Sequence, residues 1–227
     1  GGNLNSGTGE YRIHIQPVPA REMFELHVGD EVHLNQPGEG AGSINVPGAQ
    51  DVYSFSAEAG QEVFVEVLHA SRSLGFLKWR LVDDEGKVIF DECLRCVDPG
   101  KFTLEKGGQY QILVGGFQHA GTGGYSFRLW DVPVPQVFKI DSDTFTVLPD
   151  QPSMGAGILE SPGSRDVYRL HGNKGEIWHL NPTLANGAQN LMWKLTTPLG
   201  SVLFDLPFRA SSTQSQFLTL FQTGIHL

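Results

Sequence analysis

Two cysteines in 227 residues, and no apolar stretch near the ~20 residues that cross a bilayer as a helix, set the first limits. A single Cys-x-x-Cys with no second pair does not make a four-cysteine zinc site. Basic side chains are scarce too: 16 Lys and Arg stand against 25 Asp and Glu, a formal charge of −9. Such a surface repels phosphate backbones and anionic lipid, so neither nucleic acid nor membrane insertion is expected. There is no G-x-S-x-G elbow, no H-E-x-x-H and no Walker loop. The eight histidines (His14, His27, His33, His69, His119, His171, His179 and His226) form no i, i+2 pair and read as scattered surface or rim residues. No catalytic, cofactor or metal residue is assigned, and the chain is read as a non-enzyme. It opens without Met or a leader, and is read as a piece of a longer protein whose export is not judged from its start.

What is abundant is punctuation. The chain holds 28 Gly and 13 Pro, and no window shows apolar residues at helical spacing. Alternation at period two recurs instead: Val63, Val65 and Val67 share a face, as do Leu77, Trp79 and Leu81, Val88 and Phe90, Tyr110, Ile112 and Val114, and Tyr125, Phe127 and Leu129. Turn signals separate them at Pro47-Gly48, Ala59-Gly60, Glu85-Gly86, Gly107-Gly108 and Gly123-Gly124. The pattern predicts an all-β fold of antiparallel β-sandwich domains, jelly-roll-like, with about eight strands each.

The pattern also repeats. Gly7-Thr8-Gly9-Glu10-Tyr11-Arg12-Ile13 matches Gly121-Thr122-Gly123-Gly124-Tyr125-Ser126-Phe127, 114 residues on. At 115 residues, Gly40-Ala41-Gly42 falls on Gly155-Ala156-Gly157, and Pro47-Gly48-Ala49-Gln50-Asp51-Val52-Tyr53 on Pro162-Gly163-Ser164-Arg165-Asp166-Val167-Tyr168. Leu77, Trp79 and Leu81 match Leu191, Trp193 and Leu195 at 114; Thr103-Leu104 and Gly108 match Thr219-Leu220 and Gly224 at 116. Three segments follow: 1–16 as the C-terminal strand of a preceding repeat, 17–131 as the first sandwich, and 132–227 as a second that lacks its last strand or two. Pro17-Val18-Pro19 and Pro133-Val134-Pro135 are read as stiff linkers.

Asp51-Val52-Tyr53-Ser54-Phe55, Ala57-Glu58-Ala59-Gly60-Gln61, Leu77-Lys78-Trp79-Arg80-Leu81, Gly86 through Asp91, Gly107 through Val114 and Gly124-Tyr125-Ser126-Phe127, in this order, resemble the bacterial pre-peptidase C-terminal domain family. The resemblance implies a secreted, non-catalytic jelly-roll-like sandwich, often in arrays or beside proteases, some of whose relatives bind calcium, collagen or carbohydrate. The second copy departs at Leu170, which replaces Phe55, and at His171-Gly172-Asn173-Lys174, which replaces the Ala-rich turn.

Several residues carry a chemical reading beside a plainer one. Asp51 and Asp166 follow Pro-Gly turns and are candidate calcium ligands, or aspartates accepting backbone N–H bonds; the second reading is preferred. Asp83-Asp84-Glu85 is matched by Thr196-Thr197-Pro198 in the second copy, without a carboxylate, and reads as an exposed hairpin turn. Cys93 and Cys96 read as a disulfide across a tight loop, a small stabilisation because the loop is short. Trp79 and Trp193 alternate in phase with leucines and read as core, whereas Phe76, Trp130 and Trp178 stay ligand candidates.

The expectation is a structural repeat of a large extracellular or cell-surface protein such as an adhesin. Its partners are neighbouring copies or adjacent repeats, and it is array- or filament-forming if the strand at 10–15 of one subunit completes the last sandwich of the next. The alternative is a calcium-, collagen- or carbohydrate-binding module accessory to a secreted enzyme, with calcium as ligand and a glycan or matrix protein as partner.

Overall fold

The alternation in Leu77–Asp83 becomes a strand that buries Leu77, Trp79, Leu81 and Asp83 and leaves Lys78, Arg80 and Val82 half-exposed. The same logic builds the rest of this computed structural model, which describes residues 8–13, 15, 17–71, 76–96, 98–140, 145–183, 190–208 and 216–227. The chain divides into two units, one ending at Val132 and one beginning at Pro133.

The first unit holds β1 (Glu22–Glu25), β2 (Glu31–Val32), β3 (Ser43–Ile44), β4 (Gln50–Ala57), β5 (Gln61–Ala70), β6 (Leu77–Asp83), β7 (Val88–Cys93), β8 (Gly100–Leu104), β9 (Gly108–Gly116) and β10 (Gly123–Val132). One sheet runs β1-β4-β9-β6-β7 and the other β2-β10-β5-β8, with β3 also on β10. Their inner faces supply a shared core of Val32, Ile44, Tyr53, Phe55, Val63, Val65, Trp79, Leu81, Ile112, Tyr125, Phe127 and Leu129. The last strand, β10, is interior: β5 flanks it along one side, and the two-residue strands β2 and β3 exist only as its partners on the other.

The second unit holds β11 (Gln136–Ile140), β12 (Asp166–Gly172), β13 (Ile177–Leu180), β14 (Met192–Thr196), β15 (Val202–Pro207), β16 (Gln216–Thr219) and β17 (Gly224–His226). Its pairings β11-β12-β17, β13-β16 and β14-β15 copy β1-β4-β9, β5-β8 and β6-β7. Single bonds repeat as well. Gly60 N–H donates to the Leu104 carbonyl and Gly175 N–H to that of Leu220, both at 2.7 Å. Leu94 N–H donates to Leu77 O at 3.0 Å, and Phe208 N–H to Leu191 O at 2.7 Å.

The all-β expectation stands, with four corrections. β1 with β4 and β11 with β12 pair parallel, since a crossover through intervening segments, not a hairpin, joins them. The described residues of the first unit form ten strands where about eight are expected, because β2 and β3 are too short to show an alternation. Gly123-Gly124 opens β10 instead of turning. Residues 10–13 and 15 form no strand; they are exposed and have no ladder partner among the described residues, and an extended segment needs one to become a strand.

Volume is traded between the copies. Trp178 takes the place of Val63, and Gly172 the place of Ala57, each 115 residues on. A Cβ at Gly172 would lie 2.6 Å from the Trp178 ring and 2.2 Å from Leu220. The larger ring needs the missing methyl.

Trp79 is the largest side chain fully enclosed in the first unit, with Phe90 and Phe127 rings 5.3 and 5.6 Å away. Trp79→Ala is expected to lower the stability of that unit by roughly 3–5 kcal/mol. Trp193→Ala, at the half-buried equivalent, should cost clearly less. Urea unfolding followed by circular dichroism reads both, and equal losses would contradict this packing.

Candidate functional site

Residues two apart on a strand share a face, so β4 turns both Asp51 and Tyr53 inward, and β10 aims Tyr125 at them from the opposite sheet. The Tyr53 and Tyr125 hydroxyls pair at 2.8 Å. Tyr125 donates to Asp51 Oδ2, and the Tyr53 hydroxyl lies 3.5 Å from the same oxygen. The Gly42 N–H, arriving from the loop between β2 and β3, donates to the Tyr53 oxygen at 3.0 Å. Gly42 stands at φ +76°, and a Cβ there would sit 2.6 Å from the His33 carbonyl carbon, so only glycine serves. One buried cluster thus ties together the two sheets and a loop.

The loop has its own scaffold. Asn35 lies at φ +60°, its Oδ1 accepts the Gly40 N–H at 3.1 Å, and its N–H donates to Ala41 O at 2.8 Å. In the second unit Asp150 lies at φ +61°, its Oδ1 accepts the Gly155 N–H at 2.8 Å, and its N–H donates to Ala156 O at 2.8 Å. Gln36-Pro37 and Gln151-Pro152 are both cis. The cluster recurs in part: Tyr168 donates to Asp166 Oδ2 at 2.9 Å, while Gly157 N–H reaches Tyr168 Oη at 2.7 Å and Asp166 Oδ2 at 3.0 Å. Phe24 stacks on Tyr53 at 5.1 Å and Phe138 on Tyr168 at 5.2 Å. Among the described residues of the second unit, nothing supplies the hydroxyl that Tyr125 gives to the first.

Burial dominates the electrostatics. It pushes the Asp51 carboxyl up to about 6; the Tyr125 hydrogen bond opposes it and the nearby Glu22 carboxylate adds to it. Burial likewise raises the Tyr53, Tyr125 and Tyr168 hydroxyls, keeping them as neutral donors. Asp166 is also raised by burial. Glu22 becomes Gln136 in the second unit. A carboxyl held between phenols that do not ionise near neutral pH fastens the fold.

The other singled-out residues lie apart from this cluster. Asp83 Oδ1 accepts the N–H groups of Glu85 and Lys87 at 3.0 and 2.8 Å, which shapes the β6–β7 hairpin, and Glu85 pairs with Lys106 at 2.7 Å. Cys93 and Cys96 are disulfide-bonded, with Cα atoms 5.3 Å apart. Phe76 is exposed beside Lys78 and Phe117, whose cation–ring distance is 5.9 Å. Trp130 donates to Glu66 at 2.7 Å, and the Arg128 guanidinium covers its ring at 3.7 Å. Trp178 is inward, edge-on to His226 at 5.4 Å. An open depression of about 450 Å3 is lined by Val88, Phe90, Asp91, Glu92, Asp98 and Phe102. Asp98 there accepts the Val67 N–H at 2.7 Å, and Asp91 pairs with Lys78 at 2.7 Å.

Sequence reasoning singled out Asp51 and Asp166 but missed Gly42, Tyr53 and Tyr125 as their partners. The signal was present: Gly-Ala-Gly and Asp-Val-Tyr occur in both copies, and Tyr11 repeats Tyr125. One histidine needs correction. His226 is fully buried, because it stands where Tyr110 stands in the first unit. Tyr110 donates to Lys106 O at 2.7 Å, and His226 Nε2 lies 3.4 Å from Gln222 O. His14 lies outside the described residues.

The Asp51 carboxyl binds its proton more tightly folded than unfolded. Its contribution to stability is therefore complete below about pH 4 and is lost as pH rises through about 6. Asp51→Asn removes that titration. Between pH 4 and pH 7 the stability of the variant relative to the parent should improve by on the order of 2 kcal/mol, whatever the offset at pH 4. Urea midpoints across that range measure it, and a pH-independent difference would contradict the buried acid.

Compared with protein-family models and with curated proteins, the sequence matches none. Among solved structures the chain is similar to the pre-peptidase C-terminal domain of a collagenase from Bacillus anthracis. Identity is 18%, over 49% of this chain and 97% of that one, with a TM-score of 0.37. It is also similar to PliG of Aeromonas hydrophila, a periplasmic inhibitor of g-type lysozyme, at 16% identity over 49% and 98% of the two chains, with a TM-score of 0.35.

Proposed function

We propose that this chain is a non-catalytic structural repeat of a large extracellular or cell-surface protein, whose work is to extend, connect and assemble head to tail into an array or filament. The observation that carries this reading is what the two units have in common. They share strand pairings, loop scaffold and buried cluster, all of which serve shape. The groups with chemical promise are not shared: Cys93 and Cys96 correspond to Pro207 and Ala210, and Asp83-Asp84-Glu85 to Thr197-Pro198-Leu199. A repeated site for chemistry would preserve reactive groups; a repeated bead preserves its packing.

Two further features support it. The disulfide suits an oxidising, extracellular compartment. The outer faces of the units also differ in a directed way. In the first, Glu62 pairs with Lys101 at 2.9 Å and Lys87 with Glu105 at 3.1 Å. In the second, Ile177, Phe217 and Phe221 stand where Glu62, Lys101 and Glu105 stand, and all three are exposed. Large apolar side chains left in water on a repeat mark surfaces that an assembly covers.

The competing role as a calcium-dependent binding module gives the test. On the structural reading, millimolar calcium leaves the melting temperature unchanged within about 1 °C, and the chain is not retained on insoluble polysaccharide or collagen. A calcium-dependent rise of several degrees, or saturable retention, would transfer the function to ligand binding, because a ligand of the native state stabilises it.

A further inference from the structure

The Cys93–Cys96 disulfide closes a turn between residues three apart in sequence, at the end of β7. That turn has other anchors. Leu94 is buried and its N–H donates to Leu77 O at 3.0 Å, while the Cys96 N–H donates to Cys93 O at 3.1 Å. Past the turn, Asp98 Oδ1 accepts the Val67 N–H at 2.7 Å and ties the connection to β5 in the other sheet. The second unit makes the first of these bonds without a bridge. Phe208 N–H meets Leu191 O at 2.7 Å, although the two cysteine positions hold Pro207 and Ala210. The disulfide is therefore not what shapes the turn.

The size of the loop decides how firmly the bond is held. A disulfide is harder to reduce in the folded chain than in the unfolded one by the amount it stabilises the fold, because the two equilibria close one cycle. Closing so short a loop restricts the unfolded chain little. Reduction of this pair is then opposed only weakly by the fold, and the exposed bonds of this kind are the exchangeable ones. The two sulfurs also differ. Cys96 is exposed, whereas Cys93 is half-buried in β7. Across the β6–β7 ladder Cys93 stands opposite Lys78, which pairs with Asp91 at 2.7 Å. A thiolate released at Cys93 emerges beside an ammonium group, which favours its departure.

We infer that the Cys93–Cys96 disulfide is a thiol–disulfide exchange site of the folded protein, attacked at Cys96 by external thiols. A first thiolate bonds to Cys96 Sγ as the bond between the cysteines breaks, and Cys93 leaves with the electron pair and takes a proton from water. A second thiolate, on the same or another molecule, then bonds to the first external sulfur. Cys96 leaves as its thiolate and is protonated in turn. The cysteine pair gains two electrons, the external thiols become a disulfide, and an incoming disulfide reverses both steps. The exchange goes beyond the structural-repeat reading and does not rest on it, since the strand pairings and the buried cluster stay as they are in both redox states.

The chain holds two cysteines only, so thiol counting reads this site alone. The full chain is equilibrated in mixtures of reduced and oxidised glutathione, folded and in urea, quenched with iodoacetamide and weighed by mass spectrometry, with circular dichroism in parallel. Both thiols should appear while the circular dichroism stays native. The glutathione poise for half-reduction of the folded chain should lie within about fiftyfold of that for the unfolded chain. A larger ratio, or unfolding of the first unit on reduction, would overturn the exchange site. Cys93→Ser and Cys96→Ser each leave one cysteine, and they assign the point of attack. With oxidised glutathione, Cys96 in the first variant should react at least about threefold faster than Cys93 in the second. A smaller or reversed ratio would overturn the assignment to Cys96. None of these results bears on the structural-repeat reading, which calcium and retention on glycan or collagen decide separately.

Discussion

A phenol-to-carboxyl hydrogen bond across the middle of the sandwich holds the rest in place. Tyr125 comes from β10 in one sheet, Asp51 and Tyr53 from β4 in the other, and Gly42 from the loop that leads to β3. Burying a carboxyl is costly, and here it is made tolerable by keeping the acid partly protonated near neutral pH and by surrounding it with donors. The arrangement is directional where hydrophobic packing is not. It fixes which loop meets which strand, and it forms only when the last strand of the repeat has entered an interior position.

The same dependence on β10 shows in the strands beside it. In the first, Val63 and Val65 of β5 and Leu77, Trp79 and Leu81 of β6 are buried, and the two flanking strands β2 and β3 are formed. Among the described residues of the second, the counterparts of β1-β4-β9, β5-β8 and β6-β7 are paired. The short strands are conditional structures: two residues each, held by a ladder with β10. Their counterparts have no ladder partner among the described residues and are irregular and exposed, although their sequence differs little in character.

Fold class and repeat were legible in the sequence because both are written in side-chain spacing. Alternation survives any choice of strand neighbour, so Leu77, Trp79 and Leu81 announced a strand but not that β9 would lie beside it. The direction of β1 against β4 was not legible, since a period of two is the same in parallel and antiparallel pairs. The cluster at Asp51 was half-legible: the aspartate drew attention as a carboxylate, but its partner Tyr125 lies 74 residues after it, and the Gly42 amide that meets Tyr53 lies 11 residues before that tyrosine. His226 was misjudged because composition offers no sign that one histidine of eight occupies a tyrosine's buried position. Tyr11, Ile13 and Ile15 show a strand spacing in the sequence, but residues 10–13 and 15 form no strand, since alternation alone does not supply the ladder neighbour a strand needs.

Native-state hydrogen exchange at the Gly42 and Gly157 amides measures the central interaction directly, since each donates into its own cluster. If the third hydroxyl is what locks the repeat, Gly42 in the monomeric chain exchanges only through global opening of the first unit, while Gly157 exchanges through local opening at least about tenfold faster. Gly42 exchanging as fast as exposed loop amides, or Gly157 protected as strongly as Gly42, would contradict it.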